Sequence, residues 1–391
     1  MNFKVLQEFM DNMTDWIVPG NSVCVYHKNK EVFRYSSGYS DVKTKTPFTQ
    51  DKFVNLYSAS KITTVVAAMQ LVEKGVISLD DPLYKYIPTF KDMMVKQPNG
   101  SIKPAEKDIT IENLFTMSAG LTYNYKTKGI LKAKELTKGN MNTVVLAECM
   151  GEDPLAFEPG TNWGYSFCHD VLAAVVEIAA DKRFSEYATQ NIFVPCGMTQ
   201  TFYHLNDEIK SKMATQYMFV TKEKFDASAP LGGKVQDIKG ELKEIGFDNL
   251  ALGPMHDSGG AGVITTVSDY AKLGNALANF GVATTGERIL TKASVEELRR
   301  NRLNEEQMKT FAWAQFPGYG YGLGLRTLID KEKSGSNGSI GEFGWGGAAG
   351  ASMLIDPDRE FSLFYAHHML NLQESYYQPL LRNAAYKFLD E

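Results

Sequence analysis

At 391 residues, with 43% hydrophobic and 22% charged side chains, the chain has ordinary globular composition and enough length for a large enclosed core. A formal net charge of −5, with Lys interleaved among Asp and Glu, leaves no basic stripe for a nucleic-acid backbone. The four cysteines, Cys24, Cys149, Cys168 and Cys196, form no C-x-x-C pair, so neither a zinc cluster nor a redox dithiol is indicated and no metal is expected.

The first twenty residues, MNFKVLQEFMDNMTDWIVPG, place Phe3, Leu6, Met10, Met13 and Ile17 at a helical period, while Glu8, Asp11 and Asp15 interrupt any signal-peptide core. With no apolar run long enough to span a bilayer, the expectation is a soluble, cytoplasmic protein with no membrane partner. SVCVYHKNKEVFRYSSG then reads as two strands around the polar turn Lys28-Asn29-Lys30. Residues 55–75, NLYSASKITTVVAAMQLVEKG, read as a core helix with Ile62, Val65, Val66, Met69 and Val72 on one face and Gly75 as its stop. DVLAAVVEIAA (170–180) and TVSDYAKLGNALANFG (266–281) are further helices, and the Lys-rich stretch 209–245 reads as surface loops. GASMLIDPDREFSLFYAHH repeats the hairpin design around Asp356-Pro357-Asp358-Arg359, and SYYQPLLRNAAYKFLDE closes the chain as a helix.

Strands therefore cluster at both ends and helices between them. The implied fold is α/β (α+β): an antiparallel sheet built from both termini with flanking helices, plus an inserted all-helical domain. The expected units are a discontinuous sheet domain, 1–65 with 310–391, and a mostly helical domain, 66–309, with the active site where they meet.

Three segments carry chemistry. Ser58 stands three positions before Lys61, so the two side chains can meet within one turn, and a partly desolvated lysine can accept or relay a serine proton. The same spacing at Ser40 and Lys43 falls in a polar loop, and serine is also a preferred helix cap, so spacing alone leaves both readings open. In EPGTNWGYSFCHDVLAAVVE, Tyr165 sits at a loop-to-helix junction where its phenol can face a cleft or pack on a backbone carbonyl. In GEFGWGGAAGASMLIDP, glycines 344, 346, 347 and 350 crowd a strand start, which makes room for an acyl group held by backbone N–H groups or marks a bulge.

Taken together these segments resemble the penicillin-binding, serine β-lactamase-like superfamily, specifically the class C β-lactamase group and, most closely, its carboxylesterase-like branch. The likeness runs through S-x-x-K (Ser58 to Lys61), LFTMSAGLTY (114–123), EPGTNWGYS, CGMTQTFY (196–203), SGGAGVITTVSDYAKLGNAL (258–277), GYGLGLR (320–326) and GWGGAAG. The resemblance implies that Ser58 accepts the acyl group, that Lys61 and Tyr165 manage its proton, and that the backbone N–H groups of Ser58 and Ala348 form the oxyanion hole. Trp345, Gly346, Gly347 and Phe167 would then contact substrate.

Two departures bear on the substrate. Phe167 replaces the asparagine usual in a tyrosine-x-asparagine motif, and Trp345 replaces the lysine that pairs with a substrate carboxylate. Loss of a charge-assisted bond of about 1.5 to 3 kcal/mol weakens carboxylate recognition by roughly one to two orders of magnitude. The expectation is a serine hydrolase acting mainly on small-molecule esters without a cofactor. The alternatives are a β-lactamase, D,D-peptidase or D-aminopeptidase, with Lys239, Lys243 or Arg326 as a substitute cation, a small-molecule acyltransferase, and a non-catalytic ligand sensor. His169 and His256 lie in or beside these segments, and His367 and His368, adjacent on a strand, point to opposite faces and do not share a metal.

Overall fold

The computed structural model describes residues 2–16, 18–221, 239–246, 252–370 and 374–390; Ile17 and residues 222–238 of the Lys-rich stretch lie outside them. Helix α1 (Lys4–Trp16) leads into strands β1 (Gly20–His27), β2 (Lys30–Asp41) and β3 (Thr46–Pro47). Lys28 and Asn29 take φ of 52° and 58°, the doubly left-handed two-residue turn whose twist matches the strands it joins. Helices α2 (Lys61–Glu73), α3 (Cys168–Ala180) and α4 (Val267–Ala278) follow. Near the C-terminus come β4 (Tyr319–Tyr321), β5 (Arg326–Leu328), β6 (Phe343–Gly344), β7 (Ser352–Asp356), β8 (Phe361–His367) and helix α5 (Glu374–Tyr386).

These eight strands form one antiparallel sheet in the order β4-β5-β6-β7-β8-β1-β2-β3. The seam between the two ends of the chain is the β8–β1 pair, with Val23 opposite Tyr365 and Val25 opposite Leu363. Alternation along β1 serves both faces: Val23 and Val25 pack with Leu6, Phe9 and Met10 of α1 and Leu380 of α5, whereas Cys24 and Tyr26 join the larger core. Helix α4 covers that second face, with Tyr270 edge-on to Phe364 at 5.1 Å between ring centres.

The middle of the chain is mainly helical, and it also carries short strands: Phe53–Asn55 and Thr201–Phe202 flank Ile264–Thr266, Met94–Lys96 pairs with Ile102–Pro104, and Tyr217–Val220 pairs with Glu241–Glu244. Runs of two to four residues are too short to show an alternating pattern, which is why the sequence reads as helix and loop there. Helix α2 is buried, as its apolar face implies, and on every side. Every residue from Lys61 to Leu71 is buried, so it is the central axis of the core and has no solvent face in that span.

Candidate active site

Ser58 lies in a 3₁₀ turn, Tyr57–Ser60, that precedes α2. It does not cap the helix: the residue at the cap position is Ser60, whose Oγ accepts from the Val263 N–H at 3.0 Å. Tyr57 takes φ of 48°, a left-handed conformation unusual for a bulky residue, and Gln216 Nε2 donates to its hydroxyl at 2.6 Å. The strained residue immediately before Ser58 turns the serine outward, leaving it partly accessible while its neighbours Tyr57, Ala59 and Ser60 are buried.

Lys61 is fully buried. Its Nζ donates to the Gly260 carbonyl at 2.8 Å and to Ser58 Oγ at 3.4 Å. Aromatic faces complete its surroundings, with the ring centre of Tyr165 at 4.7 Å and that of Tyr123 at 5.6 Å. Tyr165 thus reaches the ammonium through its ring, and its hydroxyl accepts from Trp345 Nε1 at 3.4 Å.

Beneath this pair the first turn of α3 supplies Asp170. Its Oδ1 accepts from Ser258 Oγ (2.6 Å), His256 Nε2 (3.2 Å) and the Gly260 N–H (3.3 Å). Burial pushes this carboxyl up, but the His256 and Ser258 hydrogen bonds and the nearby Lys61 charge outweigh it and hold it below its usual value. Gly260 is therefore gripped at both ends of its backbone, by Asp170 at the N–H and by Lys61 at the carbonyl.

Opposite Ser58 runs the glycine-rich wall. A Cβ on Gly347 would stand 1.9 Å from the Leu56 carbonyl oxygen, and one on Gly350, at φ +97°, would stand 2.0 Å from the His367 ring. At these two positions the glycines make room for the chain's own backbone and core, bringing the wall against the segment that carries Ser58. Ser58, Tyr165, Trp345, Gly346, Gly347 and Ala348 line one cavity of about 230 Å³.

The model of the Beta-lactamase family matches residues 4–383. The chain belongs to the beta-lactamase family. It is 25% identical over 346 residues to Esterase EstB of Burkholderia gladioli, covering 86% of this chain and 82% of that one. To Lovastatin esterase of Penicillium rubens it is 29% identical over 338 residues, covering 80% and 78%. Among solved structures, EstCE1, described as a hydrolase with promiscuous acyltransferase activity, superposes with a TM-score of 0.77 at 23% identity over 98% of both chains, a likeness of fold.

Not every residue expected at the site reaches it. Phe167 packs against Tyr123 (4.5 Å between ring centres) and Tyr125 (5.0 Å), and it opens on a separate cavity of about 740 Å³. Tyr123, the ring it packs on, is one of the two that flank Lys61, and Phe167 itself does not line the Ser58 cavity. His169 is buried with Nε2 at 3.2 Å from the Phe115 carbonyl, and His256 is engaged by Asp170; neither lines the Ser58 cavity. His367 bonds Tyr365 and His368 bonds the Ala214 carbonyl, so the two rings serve different neighbours. Arg326 is buried on Glu342 at 2.7 Å and Lys243 is exposed beside Glu241, so neither stands where the family's usual lysine would. Lys239 does not line the cavity either.

The remaining lining residues are Trp313, Gln315, Phe316, Glu374 and Gln378. The aromatic-rich FAWAQFPGYGYG (311–322) was a visible signal for the first three. Nothing local marks Glu374 or Gln378, which reach the cavity only because α5 returns across the sheet.

Proposed function

We propose that the protein is a serine hydrolase that forms an acyl-enzyme on Ser58 from small-molecule esters. The observation that carries this reading is a partly accessible serine whose Oγ lies 3.4 Å from a fully buried ammonium, facing a close-packed glycine wall across one cavity. Ser58 Oγ attacks the ester carbonyl carbon and its proton passes to the Tyr165–Lys61 pair, in which the ammonium lies 4.7 Å from the phenol ring centre. The N–H groups of Ser58 and Ala348 hold the oxyanion. The carbon–oxygen bond to the alcohol then breaks, the alcohol leaves with the proton, and water attacks the acyl-enzyme to regenerate the serine.

The family's esterases and the Trp345 wall support esters over lactams, since among the described residues no Lys or Arg lines the cavity to pair with a substrate carboxylate. Acyl transfer to a small alcohol is a second reading, favoured by the activity attributed to EstCE1, and differs only in what competes with water. The cavity draws Tyr165 from the expected helical unit, 66–309, and the rest of its lining from 1–65 and 310–391, which supports that division and its class C pattern.

The test is intact mass spectrometry after exposure to a fluorophosphonate, a p-nitrophenyl ester and a cephalosporin, with chromophore release followed in parallel. One label on the wild type, none on Ser58→Ala, and faster ester than cephalosporin turnover are expected. Labelling that survives in Ser58→Ala would refute the assignment, and faster cephalosporin turnover would make the protein a β-lactamase.

A further inference from the structure

The cavity beside Ser58 combines two features that point to the same chemistry. Four rings line it: Trp345 lies with its ring centre 5.8 Å from Tyr165, 5.6 Å from Trp313 and 5.5 Å from Phe316, and Trp313 and Tyr165 are 5.0 Å apart. Lys61 already lies over Tyr165 at 4.7 Å, and Arg326 and Arg382 over Phe316 at 5.8 Å, so among the described residues Trp313 and Trp345 are the lining rings with no cation over them, and their quadrupoles can attract an alkylammonium group. Among the described residues the single charged group in the lining is an anion, Glu374 in the first turn of α5, one helical turn before Gln378. The neighbouring cations are turned away. Arg326 pairs with Glu342 at 2.7 Å, Arg382 donates to the Gln315 carbonyl at 3.1 Å, and both stand 5.8 Å from the Phe316 ring centre without lining the cavity.

On the acyl-enzyme reading above, we propose that the substrate is an ester whose alcohol or acyl part carries an alkylammonium group, held by Glu374 as counter-ion against the rings of Trp313 and Trp345. Where the family's usual lysine would select a carboxylate, this cavity has the reverse polarity. Burial raises the Glu374 carboxyl to about 7, against one backbone hydrogen bond, so the ionised group lacks strong stabilisation until a cation enters. The small volume, about 230 Å³, suits a compact group such as a trimethylammonium and not a large amine.

Matched esters test this at pH 8: acetylcholine against its neutral carbon isostere 3,3-dimethylbutyl acetate, with acid release followed by pH-stat. A preference for the cationic ester of at least about tenfold in kcat/KM is expected, carried by KM, and it falls to within about threefold of unity in Glu374→Gln. Equal turnover of the two esters by the wild type overturns the proposal, as does a preference that survives in Glu374→Gln. Binding is read separately from chemistry by tryptophan fluorescence on Ser58→Ala, which reports on Trp313 and Trp345. Saturable quenching by choline and not by 3,3-dimethylbutanol supports the ammonium site even where no ester turns over. Failure of choline to bind overturns it, and failure of the wild type to label with fluorophosphonate overturns only the acyl-enzyme reading.

Discussion

Gly347 couples the nucleophile to its wall through a single backbone approach. Gly347→Ala places a methyl group 1.9 Å from the Leu56 carbonyl, so the wall must retreat from the turn carrying Ser58. The expected cost is about 1 to 3 kcal/mol of overpacking, with a loss in kcat of about a hundredfold, because catalytic geometry tolerates less displacement than folding does. Steady-state kinetics beside urea unfolding checks both, and full activity with normal stability would show that the wall moves freely. Asp170→Asn tests the other side of the site. The amide keeps the shape but removes the charge that accepts from Ser258, His256 and Gly260, so Lys61 loses the anchor of its carbonyl partner. A fall in kcat of about tenfold or more with little change in KM is expected, since Asp170 does not line the cavity. A change confined to KM would contradict that positioning role.

Helix α2 shows what one element contributes and how far sequence reading can reach. Buried throughout its first eleven residues, it supports the Ser58 turn from within the core, and Thr64 Oγ1 donates to the Gly259 carbonyl at 2.7 Å, next to the residue that binds Lys61. Ile62→Ala should destabilise the protein by about 2 to 5 kcal/mol, whereas Leu131→Ala, at a side chain 53% exposed, should stay within about 0.5 kcal/mol; paired denaturant curves distinguish them. The helix, both hairpins and the closing helix were legible because apolar period and turn chemistry are local. The facing of α2 was not: a helix buried on all sides has residues such as Thr63, Thr64 and Gln70 pointing into the core, where hydrogen bonds to Tyr270, Gly259 and Ile289 satisfy them. That Ser58, Lys61, Tyr165 and the wall come near one another was legible from motif order. Phe167 was misplaced, and Glu374 missed, because whether two residues share a cavity depends on how distant elements pack.

For the whole molecule, three buried histidines set the acid limit. Burial, the largest cause in each, lowers His169 and His367 to about 3 and His368 to about 4, whereas the unfolded chain protonates near 6.5. Their contribution is complete above 6.5 and is lost as pH falls toward those folded values, at about 2 kcal/mol per histidine between pH 6.5 and 5. Glu374, raised to about 7 by burial, has the opposite sign: it protonates first in the folded state and offsets about one histidine over that span. Unfolding free energies measured in urea should therefore fall by about 4 kcal/mol from these four groups. His368→Gln should shrink the fall by about 2 kcal/mol; an unchanged slope would mean that this ring titrates alike in both states.

The β8–β1 seam has a consequence for how the protein is made. Val23 finds its partner Tyr365 only after about 340 further residues have been synthesised, which at ribosomal speeds takes roughly 20 to 70 s. During that interval the β1–β2 hairpin presents an unpaired strand edge and one bare apolar face, while the helical middle can already collapse on local contacts. The nascent chain therefore carries an adhesive edge for most of its translation, and its yield in the cell should rise with chaperones that bind extended apolar strands more than with any mutation that stabilises the finished fold.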